Sequence, residues 1–246
     1  MFPAFCINCH KEGWWVCGEC VKKIVPVVTQ LCPDCERLSL HGKFCEKCAK
    51  KYALKGVVVA CHYKEGPIRE MVHNLKYNSV TGLVEVLGVY LTSAFTHNFQ
   101  FSISNFQSIS NDQMFKHLKI KNSIEIKNLN LIISFVPLHW LRQAKRGYNQ
   151  AELLANEVSK RTGLPIVNVL TKIRKTTRQA ELSGKDRRKN LQGVFKVPKS
   201  KVFKVKGKTI ILVDDVLTTG STLNECAKVL KEAGAKKVWG LVIARG

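Results

Sequence analysis

Acidic side chains are scarce in this sequence. Its 246 residues include 18 Asp and Glu against 40 Lys and Arg, which gives a formal net charge of +22. Such a surplus points to a polyanionic partner, which can be nucleic acid, an anionic membrane surface or a phosphate-rich ligand. The charge alone does not choose among these three classes.

A long apolar run is also absent. No uninterrupted apolar stretch is long enough to cross a bilayer, and the opening residues, MFPAFC, lack the basic start and apolar core of a secretory signal peptide. We therefore expect a cytoplasmic protein without a membrane span. Thiols stay reduced in that compartment, so the ten cysteines are expected to bind metal rather than to form disulfides.

Eight of these cysteines form four C-x-x-C pairs before residue 50. The pairs are Cys6/Cys9, Cys17/Cys20, Cys32/Cys35 and Cys45/Cys48. The first pair and His10 also match the C-x-x-C-H pattern of haem attachment, but that pattern does not explain the other three pairs. Two pairs can place four thiolates around one Zn²⁺, so four pairs can hold two ions. We expect a double zinc ribbon over residues 1–50.

The short polar loops between neighbouring pairs favour one grouping of the ligands. The first two pairs would share one zinc ion and the last two the second ion, although an interleaved grouping and iron–sulfur ligation stay open. Four cysteines per ion leave no open coordination position, so the metal is expected to be structural and to supply much of the module's folding free energy. Cys61 and Cys226 lie in apolar patterns and are expected to be core residues.

After a short basic linker, AKKYALKG, strands and helices alternate. The predicted strands are GVVVACHY, LNLIISFVPL, PIVNVL, KTIILVDDV and KKVWGLVIA. The predicted helices are GPIREMVHNLKY, GLVEVLGVYLTSAF, YNQAELLANEVSKRTG and STLNECAKVLKEAG, the last two closed by Gly163 and Gly234. This order predicts an α/β domain over residues 56–246, with a mainly parallel sheet and helices on both faces. Residues from about 96 to 128 are polar and aperiodic, and we expect a mobile insertion there.

The sharpest chemical pattern is IILVDDVLTTGST, at residues 210–222. An apolar strand brings Asp214 and Asp215 to its carboxyl end, and the chain then turns into a helix that starts near Ser221. Gly220 permits a close backbone approach, successive N–H groups and the helix dipole favour an anion, and the hydroxyls of the loop add donors. The pattern predicts a site for a phosphomonoester. Two carboxylates beside such a site make sense if they bind ribose hydroxyls or a hydrated Mg²⁺.

Part of this segment, VDDVLTTGST, resembles the phosphoribosyl pyrophosphate (PRPP) signature of type I phosphoribosyltransferases. Two further stretches, VPLHWLRQAKRGYNQAELLA at residues 136–155 and RKTTRQAELSGKDRRKNLQGVF at 174–195, resemble ComF-type competence proteins and their GntX-like relatives. The cysteine-rich start fits this family too. Trp140 and Tyr148 stand where the family often has Pro and Phe, but neither position lies in the phosphate loop. The resemblance covers nearly the whole chain apart from the insertion.

The resemblance implies roles for single residues. Asp214 and Asp215 would be the catalytic pair that binds the ribose hydroxyls or the Mg²⁺ shell. The 5-phosphate of PRPP would be held by Thr218, Thr219, Gly220, Ser221 and Thr222. The loop after Val136 and Pro137 resembles the family's pyrophosphate loop, with candidate ligands Leu138, His139, Arg142, Lys145 and Arg146. The implied chemistry is displacement of pyrophosphate at the ribose anomeric carbon, for an acceptor that the sequence does not identify.

Lysine and arginine are dense between residues 142 and 208, in the runs RQAKR, KIRKTTR, KDRRK and KSKVFKVKGK. Diphosphate binding needs only a few of these side chains, so the surplus suggests a track for a phosphate backbone. The resemblance implies a role in DNA uptake, with single-stranded DNA and a helicase-like competence ATPase as partners. Tyr148, Phe195 and Phe203 lie among these charges, but aromatics at such spacing are more often core residues. Two functions therefore stay open: a PRPP-dependent transferase, and a non-catalytic DNA-handling scaffold in which the PRPP fold senses a ligand or supports assembly.

Overall fold

The computed structural model describes residues 4–64, 66–99, 130–174 and 191–246. The strands within these ranges are β1 (Gly56–His62), β2 (Leu131–Phe135), β3 (Thr171–Lys172), β4 (Phe195–Lys196), β5 (Thr209–Leu217) and β6 (Lys237–Arg245). Four of them form a parallel sheet in the order β1-β6-β5-β2, while β3 and β4 pair as a separate antiparallel ribbon. The predicted α/β fold with a parallel sheet is confirmed.

The helices are α1 (Gly18–Lys22), α2 (Glu46–Ala49), α3 (Ile68–Tyr77), α4 (Leu83–Phe99), α5 (Trp140–Arg146), α6 (Gln150–Thr162), α7 (Val202–Val205) and α8 (Ser221–Glu232). Short 3₁₀ turns cover Leu40–Gly42 and Lys199–Lys201. No helix in the described ranges has both the length and the hydropathy that crossing a membrane requires. The longest of them, α4, has 17 residues.

Both faces of the sheet are covered because alternate residues of β5 enter different cores. Ile211 and Val213 pack with the α3, α4 and α6 side, whereas Ile210 and Leu212 pack with the α7 and α8 side. All four side chains have no exposed surface. A nearly continuous apolar run is what a parallel strand with two covered faces requires.

Two of the predicted elements differ from the structure. Residues 165–170 do not form a strand, and the segment makes an isolated parallel bridge between Ile166 and Ile133. Pro165 contributes a carbonyl to Ile133 N but has no N–H of its own, and the pairing stops after the bond from Val167 N to Ile133 O. The helix predicted to end at Phe95 runs on to Phe99, so four residues that we assigned to the insertion are helical. Residues 100–128 of that insertion lie outside the described residues.

The cysteine module covers the free edge of β1. Val27 N donates to Ala60 O, His62 N donates to Val25 O, and the Gln30 side chain pairs with both backbone groups of Val59. An exposed parallel edge would otherwise offer unpaired backbone groups to another chain. The segment between the two halves of the module therefore completes the sheet edge.

Each half of the module joins a different core. Cys6 and Cys20 pack within the core on the α3 and α4 side, while Cys32 and Cys48 pack within the core on the α8 side. The division of the chain into two domains, residues 1–50 and 56–246, stays a prediction. In the folded chain the module shares its apolar contacts with the sheet. Cys61 and Cys226 have no exposed surface, which confirms them as core residues.

Candidate functional site

The eight module cysteines form two groups of four. Cys6, Cys9, Cys17 and Cys20 make the first cluster, and Cys32, Cys35, Cys45 and Cys48 make the second cluster. Within each cluster the sulfur atoms lie within 4.8 Å of one another. The ligand pairs therefore follow one another along the chain, as predicted, and are not interleaved. Each cluster can hold one metal ion.

The separations of the sulfurs fit tetrahedral coordination. Cys9 Sγ lies 3.5 Å from Cys17 Sγ, and Cys35 Sγ lies 3.7 Å from Cys45 Sγ. A disulfide would need about 2 Å between sulfurs. Four sulfurs at about 2.3 Å from a tetrahedral zinc ion lie roughly 3.8 Å apart. The sulfur separations in both clusters therefore fit metal coordination and are too long for a disulfide bond.

Backbone N–H groups in both clusters favour thiolates. Cys17 N donates to Cys6 Sγ, and Cys45 N donates to Cys32 Sγ, each at 3.4 Å. Burial raises the pKa of Cys6 and of Cys32, but the N–H donors outweigh burial and bring the pKa of each thiol down to about 6. In the same clusters burial raises the pKa of Cys20 to about 12, and the hydrogen bond with Asp34 raises that of Cys48. A bound cation is therefore what would make all four sulfurs of a cluster thiolates, the form that binds metal.

The acid pair lies in the carboxyl-terminal half of β5, at its sixth and seventh residues. Asp215 is buried, and Asp214 is half-buried beside a cavity of about 500 Å³ at the carboxyl edge of the sheet. We call this space the acid-pair cavity. Asp215 N donates to Asp214 Oδ1 at 2.9 Å, which fixes the two carboxylates relative to each other.

Partners from two helices already occupy the carboxylate of Asp215. Lys76 Nζ of α3 lies 2.7 Å from Asp215 Oδ1, and Gln150 Nε2 of α6 donates to Asp215 Oδ2 at 2.7 Å. Arg146 in turn donates to Gln150 Oε1. Since both oxygens of Asp215 are engaged, Asp214 is the carboxylate better placed to meet a cation or a hydroxyl in the cavity.

Charges around the cavity shift the ionisation of its side chains. Burial and the adjacent charge of Asp215 raise the pKa of Asp214 to about 7, against the opposing effects of Lys76 and Lys172. Burial alone would lower the pKa of Lys76, but Asp215 and Asp214 raise it above its usual value. Lys76 therefore stays charged, and a cation bound beside Asp214 would favour the ionised carboxylate.

The loop after β5 has the geometry of an anion site. Gly220 adopts a positive φ of 70° and forms the N-cap of α8, a conformation that suits glycine. Thr219 Oγ1 lies 2.8 Å from Ser221 Oγ and also accepts from Ser221 N. The first N–H groups of the 12-residue helix α8 and these hydroxyls face the same end of the sheet.

A second loop reaches the same cavity from the neighbouring strand β2. Val136 N donates to Val213 O, so the chain leaves the sheet directly beside the acid pair. Leu138, Arg142 and Arg146 line the acid-pair cavity. The convergence follows from the parallel order, because the carboxyl ends of β2 and β5 meet at one edge.

Most of the predicted site residues meet around the acid-pair cavity. The lining includes Leu138, Arg142, Arg146, Asp214, Asp215, Thr218, Gly220, Ser221 and Thr222. Thr219 lines an adjoining cavity on the far side of the loop. His139 is buried, and its Nδ1 accepts from Leu141 N at the N-cap of α5, so it shapes the loop without lining the cavity. Lys145 is exposed on α5 and does not belong to the lining.

Several lining residues were missed in the sequence. They are Tyr63, Lys76, Tyr77, Gln150 and Lys172. Gln150 belongs to the quoted RGYNQ stretch, so a signal for it was present. Lys76 lies in the predicted helix and Lys172 opens the quoted run KIRKTTR, but nothing local indicates that either side chain lines a cavity. Burial and then the charge of Arg142 lower the pKa of Lys172 to about 8.

The basic run predicted as one track is divided between opposite ends of the sheet. Arg142, Arg146 and Lys172 line the acid-pair cavity at the carboxyl edge. Another set lies at the amino ends of β1, β5 and β6, and we call it the amino-edge lysines: Lys55, Lys199, Lys201, Lys204, Lys206, Lys208, Lys231, Lys236 and Lys237. Residues 175–190, which include KDRRK and most of KIRKTTR, lie outside the described residues.

An aromatic side chain stands among the amino-edge lysines. Phe203 is 71% exposed, in contrast to the core position that we expected, and Lys204 Nζ lies 5.7 Å from the centre of its ring. The short helix α7 carries it and is anchored by Val205, which has no exposed surface. Phe195 is buried and Tyr148 is partly buried, as expected.

Comparison with known proteins gives consistent matches. A model of the phosphoribosyl transferase domain matches residues 144–245. Competence protein F of Haemophilus influenzae is 31% identical over 252 residues, which covers 97% of this chain and 96% of the relative. DNA utilization protein YhgH of Salmonella typhimurium is 28% identical over 247 residues, with 97% and 96% covered. Competence protein ComFC of Streptococcus pneumoniae is 33% identical over 103 residues, or 42% of this chain and 43% of that protein.

The match to competence protein F extends through both parts of the chain. Because 97% of this chain is covered, the match reaches into the cysteine module as well as the sheet. With nearly the whole of both proteins aligned, this chain belongs to the competence protein F (ComF) family and carries a phosphoribosyl transferase domain.

Proposed function

We propose that this protein binds PRPP with Mg²⁺ in the acid-pair cavity and acts in the uptake or use of DNA. The observation that carries the first part is the convergence of three groups on one cavity: the carboxylates of β5, the phosphate loop before α8, and the arginines that follow β2. The printed names of the relatives, competence and DNA utilization proteins, support the second part.

The proposed binding mode gives each lining group a task. The N–H groups and hydroxyls of residues 218–222 would hold the 5-phosphate, and Asp214 would meet the ribose hydroxyls or the hydrated Mg²⁺. Arg142, Arg146 and Lys172 would neutralise the diphosphate, with Leu138 at the same loop. Mg²⁺, when bound with PRPP, supplies charge neutralisation for the leaving diphosphate.

Lys76 and Gln150 act through Asp215. They hold its carboxylate away from the ligand and keep the acid pair in one orientation. Removing Lys76 would leave a buried carboxylate without its charged partner, a change that costs about 3–5 kcal/mol in comparable buried pairs. We assign both residues a positioning role in the proposed site.

Transfer of the phosphoribosyl group to an acceptor is one outcome of PRPP binding, and a sensing or assembly role is the alternative. The described lining offers positioning and charge neutralisation but contains no histidine, and Asp214 is its one carboxylate with capacity left. Release of pyrophosphate in the presence of candidate acceptors distinguishes the two.

We further propose that both cysteine clusters hold structural Zn²⁺ and that the protein works in the cytoplasm. Four thiolate ligands per ion suit zinc and leave no position for a substrate. Clusters of reduced thiols need a reducing compartment. Association with a helicase-like competence ATPase belongs to the same proposal, and co-purification with that ATPase tests it.

Single-stranded DNA is the polyanion that we propose for the amino-edge lysines. The backbone contacts bring these lysines together: Gly207 N donates to Gly234 O, Lys236 N donates to Lys208 O, and Lys55 N donates to Val238 O. Eight of the nine lie in residues 199–208 and 231–237, and these segments contain one acidic residue, Glu232. Phe203 offers a ring on which a base can stack.

The amino edge is distant from the proposed PRPP site. Strand β5 has nine residues, so about 30 Å of strand separates its two ends. DNA binding at the amino edge would therefore leave the acid-pair cavity accessible.

Replacement of both carboxylates, Asp214→Ala with Asp215→Ala, tests the PRPP site. Calorimetric titration of the zinc-loaded protein with PRPP and Mg²⁺ should show binding to wild type and none to the variant. The matched control is Glu70→Ala with Glu232→Ala, which removes two exposed carboxylates elsewhere and should bind like wild type. Absence of binding to wild type would contradict the proposal.

Affinity for pyrophosphate should fall as pH rises through about 8, because Lys172, whose pKa is lowered to that value, loses its charge there. A bound polyanion favours the charged lysine, so binding is strongest below pH 8 and weakens above it. Lys172→Arg should remove this fall, since arginine stays charged. Both proteins are titrated at each pH. The effect of pyrophosphate ionisation on affinity is then the same for both and drops out of the comparison. Parallel profiles for the two proteins would exclude Lys172 from the site.

Salt dependence tests the DNA surface. Changing Lys204, Lys206 and Lys236 to Ala should reduce the slope of log affinity against log salt for a fluorescein-labelled oligo(dT) by about 2. Phe203→Ala should weaken binding by about tenfold with the slope unchanged, and Phe203→Trp should restore it. The control with equal charge loss changes three exposed lysines elsewhere: Lys11, Lys23 and Lys160. A salt-independent affinity, or equal losses in both triple variants, would rule out this surface.

A further inference from the structure

The second cysteine cluster and the phosphate loop face each other across a cavity of about 510 Å³. Its wall on the cluster side includes Pro33 and Asp34, which lie between two ligands of that cluster, and Tyr52. Its wall on the loop side includes Thr219 and Ser221. The loop therefore has the proposed PRPP site on one side and the cysteine module on the other.

A hydrogen bond connects the module to the helix that follows the loop. Ala53 N donates to Asn224 Oδ1 at 2.8 Å. Asn224 is 8% exposed and lies in the first turn of α8, three residues after Ser221. Ala53 comes only five residues after the ligand Cys48. The position of its N–H therefore depends on the conformation of the chain that leaves the second cluster.

Contacts within the module fix that segment. Tyr52 Oη donates to Asp34 Oδ1 at 2.7 Å, and the Tyr52 ring stacks on Phe44 with centres 4.2 Å apart. Lys51 Nζ lies 3.3 Å from Asp34 Oδ2. Asp34 lies between the ligands Cys32 and Cys35. Its carboxylate accepts both contacts, so the second cluster positions the acceptor. Ordering of the four cysteines and ordering of residues 51–53 are thereby coupled.

Apolar packing extends the same connection. Cys32, Cys48 and Leu54 belong to one core with Leu217 and Leu223, which flank the phosphate loop on either side. Gly42 of the module approaches so closely that a Cβ there would lie 2.2 Å from Val57 O of β1. An ion pair between Glu36 and Arg245, at 2.8 Å, is mostly exposed on the Glu36 side and adds little. The partly buried bond from Ala53 to Asn224 and the apolar packing around the loop are the contacts that can carry the coupling to α8.

The first cluster has a different environment. Cys6, Cys17 and Cys20 pack in the core that contains Met71 of α3 and Leu87 of α4. No residue between 4 and 24 lines the acid-pair cavity or the cavity behind the phosphate loop. The two clusters are chemically alike but differ in what they support.

We propose that metal bound at the second cluster, and not at the first, holds the phosphate loop in its anion-binding geometry. Without an ion no metal bond holds the four sulfurs together, so Asp34 and Tyr52 lose their fixed positions and Asn224 loses the N–H of Ala53. The first turn of α8 then loosens, and the loop binds phosphate less well. The affinity part of this inference rests on the proposed PRPP site, whereas the loosening of α8 does not.

Two single substitutions give a matched comparison. Cys35 and Cys9 are both exposed members of their clusters. Cys35→Ser and Cys9→Ser should each reduce the bound zinc from two ions to one, measured by elemental analysis. Cys35→Ser should accelerate hydrogen exchange in residues 221–226 and weaken PRPP affinity by about tenfold, whereas Cys9→Ser should change neither by more than about twofold.

A further pair of variants separates this coupling from general misfolding. Asn224→Ala should retain both zinc ions yet accelerate exchange in the first turn of α8 and weaken PRPP binding, and Asn156→Ala, at an exposed position on α6, should do neither. Equal effects of Cys35→Ser and Cys9→Ser, or unchanged exchange in Cys35→Ser after loss of its ion, would overturn the inference. If wild type fails to bind PRPP while the exchange differences appear, the proposed function fails and the coupling stands.

Discussion

The arrangement of the site depends on the buried carboxylate of Asp215 and on the two side chains that contact it. Burial of a charge is unfavourable unless partners compensate it, and here Lys76 of α3 and Gln150 of α6 do so from two different helices. The acid pair on β5 is thereby fixed to both α3 and α6. Arg146 joins the same network through Gln150. One compensated charge therefore positions most of the groups that line the cavity.

The cysteine module has a larger part in the fold than its size suggests. Its connecting segment covers the edge of β1, and its two clusters enter the cores on opposite faces of the sheet. Metal binding in modules of this kind supplies folding free energy of about 10–16 kcal/mol in zinc-finger peptides, which is as large as the total stability of many domains. The fold thus connects metal occupancy to the sheet and, through the second cluster, to the proposed phosphate site.

The sequence predicted local features well and long-range contacts poorly. The sheet strands, the grouping of the cysteines and the loop at residues 218–222 depend on periodicity and spacing, which the sequence displays directly. The partners of Asp215 are 65 and 139 residues away from it, and no local pattern records such pairs. The segment at residues 165–170 has a strand's composition, but it makes a single bridge to β2.

A crystal structure of the zinc-loaded protein with Mg²⁺ and PRPP is the most direct test of binding in the acid-pair cavity. We expect the 5-phosphate at the N–H groups of residues 219–222 and the diphosphate beside Arg142 and Arg146. Asp215 should keep its contacts to Lys76 and Gln150 while Asp214 meets the ribose or the cation. PRPP bound elsewhere, or an acid-pair cavity left empty at saturating ligand, would contradict this proposal.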